Sequence, residues 1–258
     1  MTDMPHPQDR RFEGKVALVT GGATGIGRET SKAFAASGAK VMIGDIDPRA
    51  EETVAIIKQA GGEADFCQTD VTDGQAVRAL VARTLERFGG MHCAFNNAGI
   101  LPPLRQIHEV PDDELDLAIN VDFKGVWYAM QAEIKHFLEV GGGAIVNTAS
   151  VGALIADPNM AAYCAMKHAV AGLTKAAAVE YATRNIRVNC VAPGFIDTPM
   201  TADWVASEEF KTMFFQHNVS GRMAQPEEIA GTVLHLCSDA ASFVNGAVWA
   251  IDGGQTAH

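Results

Sequence analysis

Short, nearly continuous apolar runs alternate along the chain with longer segments whose apolar positions recur every three or four residues. The runs fall at 15–20, 40–45, 64–68, 93–96, 144–148, 187–192 and 247–251. Runs of that length without polar alternation predict strands buried on both faces of a parallel sheet. Between them, Val77, Leu80, Val81, Thr84, Leu85 and Phe88 share one helical face. Ile26, Thr30, Ala33, Phe34 and Ser37 do the same, with Gly38 as a stop signal. Pro48 and Pro226 stand where first helical turns would begin, and long helices are expected over 111–138 and 160–183. Seven strands alternating with helices predict a single Rossmann-like, doubly wound α/β domain over 12–258. Residues 1–11 read as a flexible polar tail without the apolar core of a signal peptide.

Composition narrows the function classes. Of 258 residues, 48% are hydrophobic and 20% charged, which suits a packed core. The net charge of −11 offers no footprint for nucleic acid or an anionic membrane. No run approaches the roughly 18 apolar residues of a membrane-spanning helix. Cys67, Cys93, Cys164, Cys190 and Cys237 are odd in number, scattered and without a CxxC pair. They read as reduced thiols of a cytoplasmic protein, and the scattered histidines suggest no metal site.

The first predicted strand runs into Thr20-Gly21-Gly22-Ala23-Thr24-Gly25-Ile26-Gly27 and then a helix. Such a turn lets backbone N–H groups and a helix N-terminus meet a pyrophosphate, although a plain tight turn uses glycine too. Asp45 ends the second strand 24 residues after Gly21. A carboxylate there is placed for adenosine ribose hydroxyls and would repel a 2′-phosphate. Ile46 follows it with no Arg or Lys offered nearby, so NAD is favoured over NADP.

Tyr163 and Lys167 are one helical turn apart. YxxxK alone is a common accident of helices, but Ser150 stands 13 residues before Tyr163, at the carboxyl end of the fifth strand. A phenol ordinarily loses its proton near pH 10, so a tyrosine base needs a neighbouring cation such as Lys167.

These motifs together resemble the short-chain dehydrogenase/reductase family, in its single-domain branch. Thr20–Gly27 matches TGxxxGxG and Asn96-Asn97-Ala98-Gly99 matches NNAG. The likeness continues through Pro193-Gly194 to Asp252-Gly253-Gly254. It implies a catalytic tetrad of Asn120, Ser150, Tyr163 and Lys167, with Asn120 anchoring a water beside Lys167. It also implies cofactor contacts from Gly21, Thr24, Gly25, Ile26, Gly27, Asp45, Ile46, Asp70, Val71, Asn97, Ala98, Gly99, Pro193, Gly194, Ile196 and Thr198, besides Tyr163 and Lys167. Met166 and Asn245 depart from the residues usual at their positions.

Around Ser150, the residues Leu154, Ile155, Phe195, Trp204 and Phe214, with Ile100 and Leu101 after Gly99, are expected as apolar walls of a substrate pocket, with 200–222 as a lid. Phe210, Met213 and Phe214 share one helical face there, which could equally pack on the body. No cation is aimed at a substrate carboxylate. The expected reaction is therefore hydride transfer between NAD and an uncharged, apolar secondary alcohol or ketone. The resemblance further implies a homotetramer. Three alternatives are a 3-oxoacyl-(acyl carrier protein) reductase using NADPH, a sugar-nucleotide epimerase, and a non-catalytic dinucleotide sensor. The first is opposed by Asp45 and the acidic charge, the second by chain length, and the third by an intact Ser–Tyr–Lys set.

Overall fold

The computed structural model describes residues 11–207 and 218–257. Strands β1 (Val16–Thr20), β2 (Lys40–Asp45), β3 (Glu63–Gln68), β4 (Cys93–Asn96), β5 (Gly143–Thr148), β6 (Ile186–Pro193) and β7 (Val248–Ile251) form one parallel sheet. Their spatial order is β3-β2-β1-β4-β5-β6-β7. Every predicted strand lies within a residue of its expected ends. The reason is visible in β1, whose five residues are all buried and therefore all apolar or internally bonded.

Eight helices cover the two faces among the described residues: α1 (Gly25–Ala36), α2 (Ala50–Gln59), α3 (Gly74–Phe88), α4 (Asp112–Ala118), α5 (Gly125–Val140), α6 (Ala161–Tyr181), α7 (Ala202–Ala206) and α8 (Pro226–Cys237). One core layer joins Phe34 of α1, Ile57 of α2 and Val233 of α8 to the sheet. The other joins Leu80 of α3, Phe137 of α5 and Val170 of α6 to the opposite face. Phe12 is buried and meets the Phe34 ring edge-on at 5.1 Å, so the first described residues are already part of the packing.

Pro226 opens α8 as expected, but Pro48 lies in the turn before α2, whose Glu51 N–H bonds the Pro48 carbonyl. The helix expected over 111–138 is interrupted. Between α4 and α5 the backbone widens into a π-helical turn, Ile119–Lys124, with the Gly125 N–H bonding the Asn120 carbonyl. Such turns re-aim side chains within an otherwise regular helix.

A buried polar chain crosses the second layer. Asn96 Nδ2 donates to Glu133 Oε2 and to Asn147 Oδ1, each at 3.0 Å, and Asn147 Nδ2 donates to Thr174 Oγ1 at 2.9 Å. Burial pushes the Glu133 carboxyl up to about 8, opposed only by the Asn96 hydrogen bond. Below about pH 4.5 both the folded and the unfolded chain hold this proton. Between there and pH 8 the unfolded chain loses it while the folded one keeps it, so folding stability falls as pH rises. Glu133→Gln removes this term. Denaturant unfolding is expected to show the variant more stable at pH 8 by about 3–5 kcal/mol relative to its difference at pH 4; parallel wild-type and variant pH profiles would refute this origin.

Candidate active site

The chain leaves β1 toward β2 on one side, while β4 and the later strands lie on the other. A crevice therefore opens at the carboxyl ends of β1 and β4, where open α/β sheets receive ligands. The Gly-rich turn forms one wall. Gly21 has φ +70°, and a Cβ there would lie 2.8 Å from Ala98 Cα. A Cβ on Gly27 would lie 2.0 Å from the Gly21 carbonyl oxygen, so the turn closes only with hydrogen at that position. Thr24 precedes α1 without a side-chain cap, and the first turn carries no acidic residue. The helix thus presents backbone N–H groups and a positive dipole end to the crevice, as phosphate binding requires.

The opposite wall is stitched to this turn. Thr20 Oγ1 accepts the Asn97 and Ala98 N–H groups at 3.0 and 3.2 Å, and Asn97 Nδ2 donates to the carbonyls of Thr20 and Gly21 at 3.2 and 3.1 Å. Asp45 has a second role that the sequence pattern does not announce. Its Oδ2 accepts the Ala23 N–H at 2.8 Å and its Oδ1 the Asp47 N–H at 2.9 Å, bracing the Gly-rich turn. A carboxylate still has lone pairs left for ribose hydroxyls. Contrary to the expectation that no cation is offered nearby, Arg49 and Arg28 do stand close to this end of the crevice, each with an acidic partner: Arg49 bonds Asp47 at 2.7 Å, and Arg28 bonds Thr53 and Glu52 at 3.0 and 3.1 Å. Asp70 forms a side-chain turn with Thr72, while Asp73 caps α3.

One cavity of about 560 Å³ runs the length of the crevice. Of the expected cofactor contacts, Gly21, Thr24, Gly25, Ile26, Asp45 and Ile46 line its first third. Asp70, Val71, Asn97, Ala98 and Gly99 follow, and Pro193, Gly194, Ile196 and Thr198 line the wall after β6. Gly27 is the exception. It packs behind the turn and acts through the close approach to Gly21.

Ser150, Tyr163 and Lys167 meet at the other end of the cavity. Ser150 Oγ accepts the Gly152 N–H at 3.1 Å, which uses a lone pair and leaves the hydroxyl hydrogen for another acceptor. Lys167 is buried. Its Nζ donates to Asp122 Oδ1 and to the Thr148 carbonyl, both at 3.3 Å, and lies 5.4 Å from the Tyr163 ring centre. Burial pushes the Lys167 ammonium toward lower pKa, but the Asp122 carboxylate and then Tyr163 outweigh it and hold it above the ordinary lysine range.

Asn120 is not brought to Lys167. Its Oδ1 accepts from Lys124 Nζ at 2.9 Å on the outer side of the π-helical turn. Two helical residues apart means roughly opposite faces, so with Asp122 turned inward Asn120 must turn outward. Asp122 is the residue that sequence reasoning missed. A signal existed: Asp122 is in phase with the buried Ala118, Val126, Ala129 and Glu133, an unusual place for a charge without a partner.

The substrate end is lined by Ile100, Leu101, Leu117, Val151, Met160 and Met200, with Phe195 and Trp204 stacked edge-on at 6.1 Å. Leu154 and Ile155 do not line it. The tight turn Val151–Ala153 after Ser150 sends Val151 and Gly152 inward and leaves Leu154 at the surface. Phe214 and the predicted face Phe210-Met213-Phe214 lie outside the described residues. Among the described residues, Lys167 is the one cation on the cavity wall, and Asp157 is a carboxylate on the substrate side.

Comparison with known proteins agrees with this arrangement. Residues 21–256 match the family model described as enoyl-(acyl carrier protein) reductase. Cyclohexanol dehydrogenase of Acinetobacter sp. (strain SE19) is 42% identical over 247 residues, covering 95% of this chain and 96% of that one. The crystal structure of levodione reductase superposes with a TM-score of 0.91 at 38% identity, covering 95% of this chain and 99% of that one. A putative NAD(P)-dependent gluconate 5-dehydrogenase from Beutenbergia cavernae, with bound NADP, superposes at 0.92 with 33% identity over 97% of this chain and all of that one. The chain belongs to the short-chain dehydrogenase/reductase family and is an NAD(P)-dependent oxidoreductase of alcohols and ketones. No helix among the described residues is long and apolar enough to cross a membrane.

The Thr20 hydroxyl is the joint between the two walls. Thr20→Val keeps the shape but leaves two N–H groups unpaired, at about 1–3 kcal/mol each. Denaturant unfolding is expected to show a loss of that order, with weaker dinucleotide binding by calorimetry; unchanged stability would mean that water replaces the hydroxyl.

Proposed function

We propose that the protein is an NAD-linked dehydrogenase of uncharged, alicyclic secondary alcohols, working in either direction, with Tyr163 as general acid–base. The observation that carries this reading is the convergence of Tyr163, Lys167 and Ser150 on a cavity whose substrate side is mostly apolar, with Asp157 as its one carboxylate among the described residues. The relationship to a cyclohexanol dehydrogenase and to levodione reductase points the same way.

The dinucleotide would be held by the Gly-rich turn, Asp45, the Asn97–Gly99 wall and the segment after β6. When bound, it supplies or removes a hydride at the carbinol carbon. The protein does the rest. Ser150 donates its uncommitted hydroxyl hydrogen to the substrate oxygen and fixes its position. Tyr163 takes the alcohol proton as hydride leaves, or returns it to the forming alkoxide. Lys167, with two ammonium hydrogens committed to Asp122 and Thr148, has a third for a hydroxyl of the cofactor ribose.

NAD rather than NADP is supported by the Asp45 carboxylate and by the occupied side chains of Arg28 and Arg49. A relative with NADP bound keeps the alternative testable, as does the acyl-carrier reductase reading. Assembly as a homotetramer is supported by exposed apolar residues on α4 and α5, among them Leu117, Trp127 and Val140. A cytoplasmic setting is supported by the scattered thiols, all free in the structure.

In a panel of secondary alcohols with NAD+ and NADP+, turnover is expected with NAD+ and cyclohexanol-like substrates. Tyr163→Phe should lower kcat by at least about 100-fold while retaining NAD binding. Preference for NADP+ together with acyl-thioester ketones would replace this reading by the reductase one. Asp157 sharpens the substrate class, since a carboxylate on the substrate side repels an anionic substrate. Asp157→Asn is expected to raise kcat/KM for 4-hydroxycyclohexanecarboxylate by about 10-fold relative to cyclohexanol; an equal change for both would exclude a charge effect.

A further inference from the structure

Lys167 shares its buried site with a full carboxylate. Asp122 is completely buried, and its side chain reaches Lys167 Nζ at 3.3 Å. Asp122 Oδ1 also accepts the Ile100 N–H at 3.1 Å, while Oδ2 is buried with no hydrogen-bond partner among the described residues. With one backbone N–H as its other donor, the carboxylate depends on the Lys167 ammonium for most of its stabilisation. A neutral amide would satisfy the same backbone N–H and carry no charge.

We propose that Asp122 is a charge-setting positioning residue, which pins the Lys167 ammonium and partly cancels its field at Tyr163. It touches neither substrate nor the reacting atoms and acts through Lys167. The titratable groups facing Lys167 are Asp122 from the π-helical turn and Tyr163 from its own helix. Among the described residues, the elements packed from the other sides give the Ile100 N–H to Asp122 and the Thr148 carbonyl to Lys167. Asp157 shares the cavity on the substrate side, and Asp45, Asp47 and Asp70 share its adenosine side.

The sign follows from the charges. An anion beside the cation makes phenolate formation at Tyr163 harder than a lone cation would. Activity that needs the phenolate, alcohol oxidation, therefore begins at higher pH. Asp122→Asn keeps the shape and the Ile100 contact but removes the charge, so the unmasked cation favours phenolate.

This rests on the proposed roles of Tyr163 and Lys167, and the test separates the two. In the first arm, the pH profile of kcat/KM is measured for NAD+ and cyclohexanol with wild type, Asp122→Asn and Asp122→Ala. The acidic limb of Asp122→Asn is expected to move to lower pH by about one unit, and the alkaline limb of cyclohexanone reduction should move the same way. In the second arm, acetic anhydride acetylation of Lys167 in the cofactor-free protein is followed by peptide mass against pH. Its midpoint, which accessibility alone does not shift, is expected to fall by at least about one unit in Asp122→Asn. Loss of turnover in every protein would strike the substrate reading and leave the second arm to decide. An unmoved acetylation midpoint, or superimposable pH limbs with only Asp122→Ala impaired, would reduce Asp122 to a structural acceptor and overturn the proposal.

Discussion

The Lys167–Asp122 pair is withdrawn almost entirely from water, and four segments of chain must meet for it to exist. Lys167 comes from the second turn of α6, Asp122 from the π-helical turn, and the remaining partners from the end of β5 and the loop after β4. Two charges in such a place cost several kcal/mol each to desolvate, and removing one partner leaves the other stranded at about 3–5 kcal/mol. The pair is therefore a demanding condition on the fold. It holds only when α5 and α6 are seated on the sheet and the β4 and β5 carboxyl ends are level. Those are also the conditions under which Ser150 and Tyr163 share a cavity.

The cofactor half of the crevice depends on a different constraint, the close approach of backbone to backbone. Gly27 must lie against the Gly21 carbonyl, and Gly21 against Ala98, so that the turn and the Asn97–Gly99 wall fit together. Thr20 and Asp45 then use their side chains to satisfy N–H groups that this crowding would leave unpaired. Asp45 thereby couples the shape of the Gly-rich turn to the end of β2. Asn245 does comparable work far from the site, taking the Val188 N–H and donating to the Ala178 carbonyl, which ties β6 to α6. His168, beside Lys167, is exposed, and its ring bonds the Cys164 carbonyl one turn back on the same helix.

Beneath the catalytic end, the chain from Glu133 through Asn96 and Asn147 to Thr174 supplies a second reason for the alignment of α5, β4, β5 and α6. A polar network in an apolar layer is tolerated in few arrangements, because each member must find its partner. It narrows the ways in which the two helices can sit over the sheet, and so helps to hold Tyr163 and Lys167 at the cavity wall.

Much of this was legible in the residues themselves. Strands buried on both faces must be apolar throughout, so their positions stand out to within a residue. The phosphate turn is local, and its glycines and the later Asp45 are fixed by chain geometry over a single β-α-β unit. Tyr163 and Lys167 are one turn apart on a helix, whatever the rest of the chain does. What local pattern could not decide was which distant side chain meets them. Asn120 and Asp122 are two residues apart on a helix with a widened turn, and only the docking of that turn against α6, 45 residues away in sequence from Asp122 to Lys167, selects the inward one. The same holds for the pocket wall. Leu154 and Ile155 follow Ser150 directly, yet the tight turn between carries them away, while Leu117 of α4 and Met160 at the start of α6 arrive unforeseen from separate elements. Periodicity is a property of one element; a buried charge pair or a cavity wall is made by several, and its members are chosen by packing.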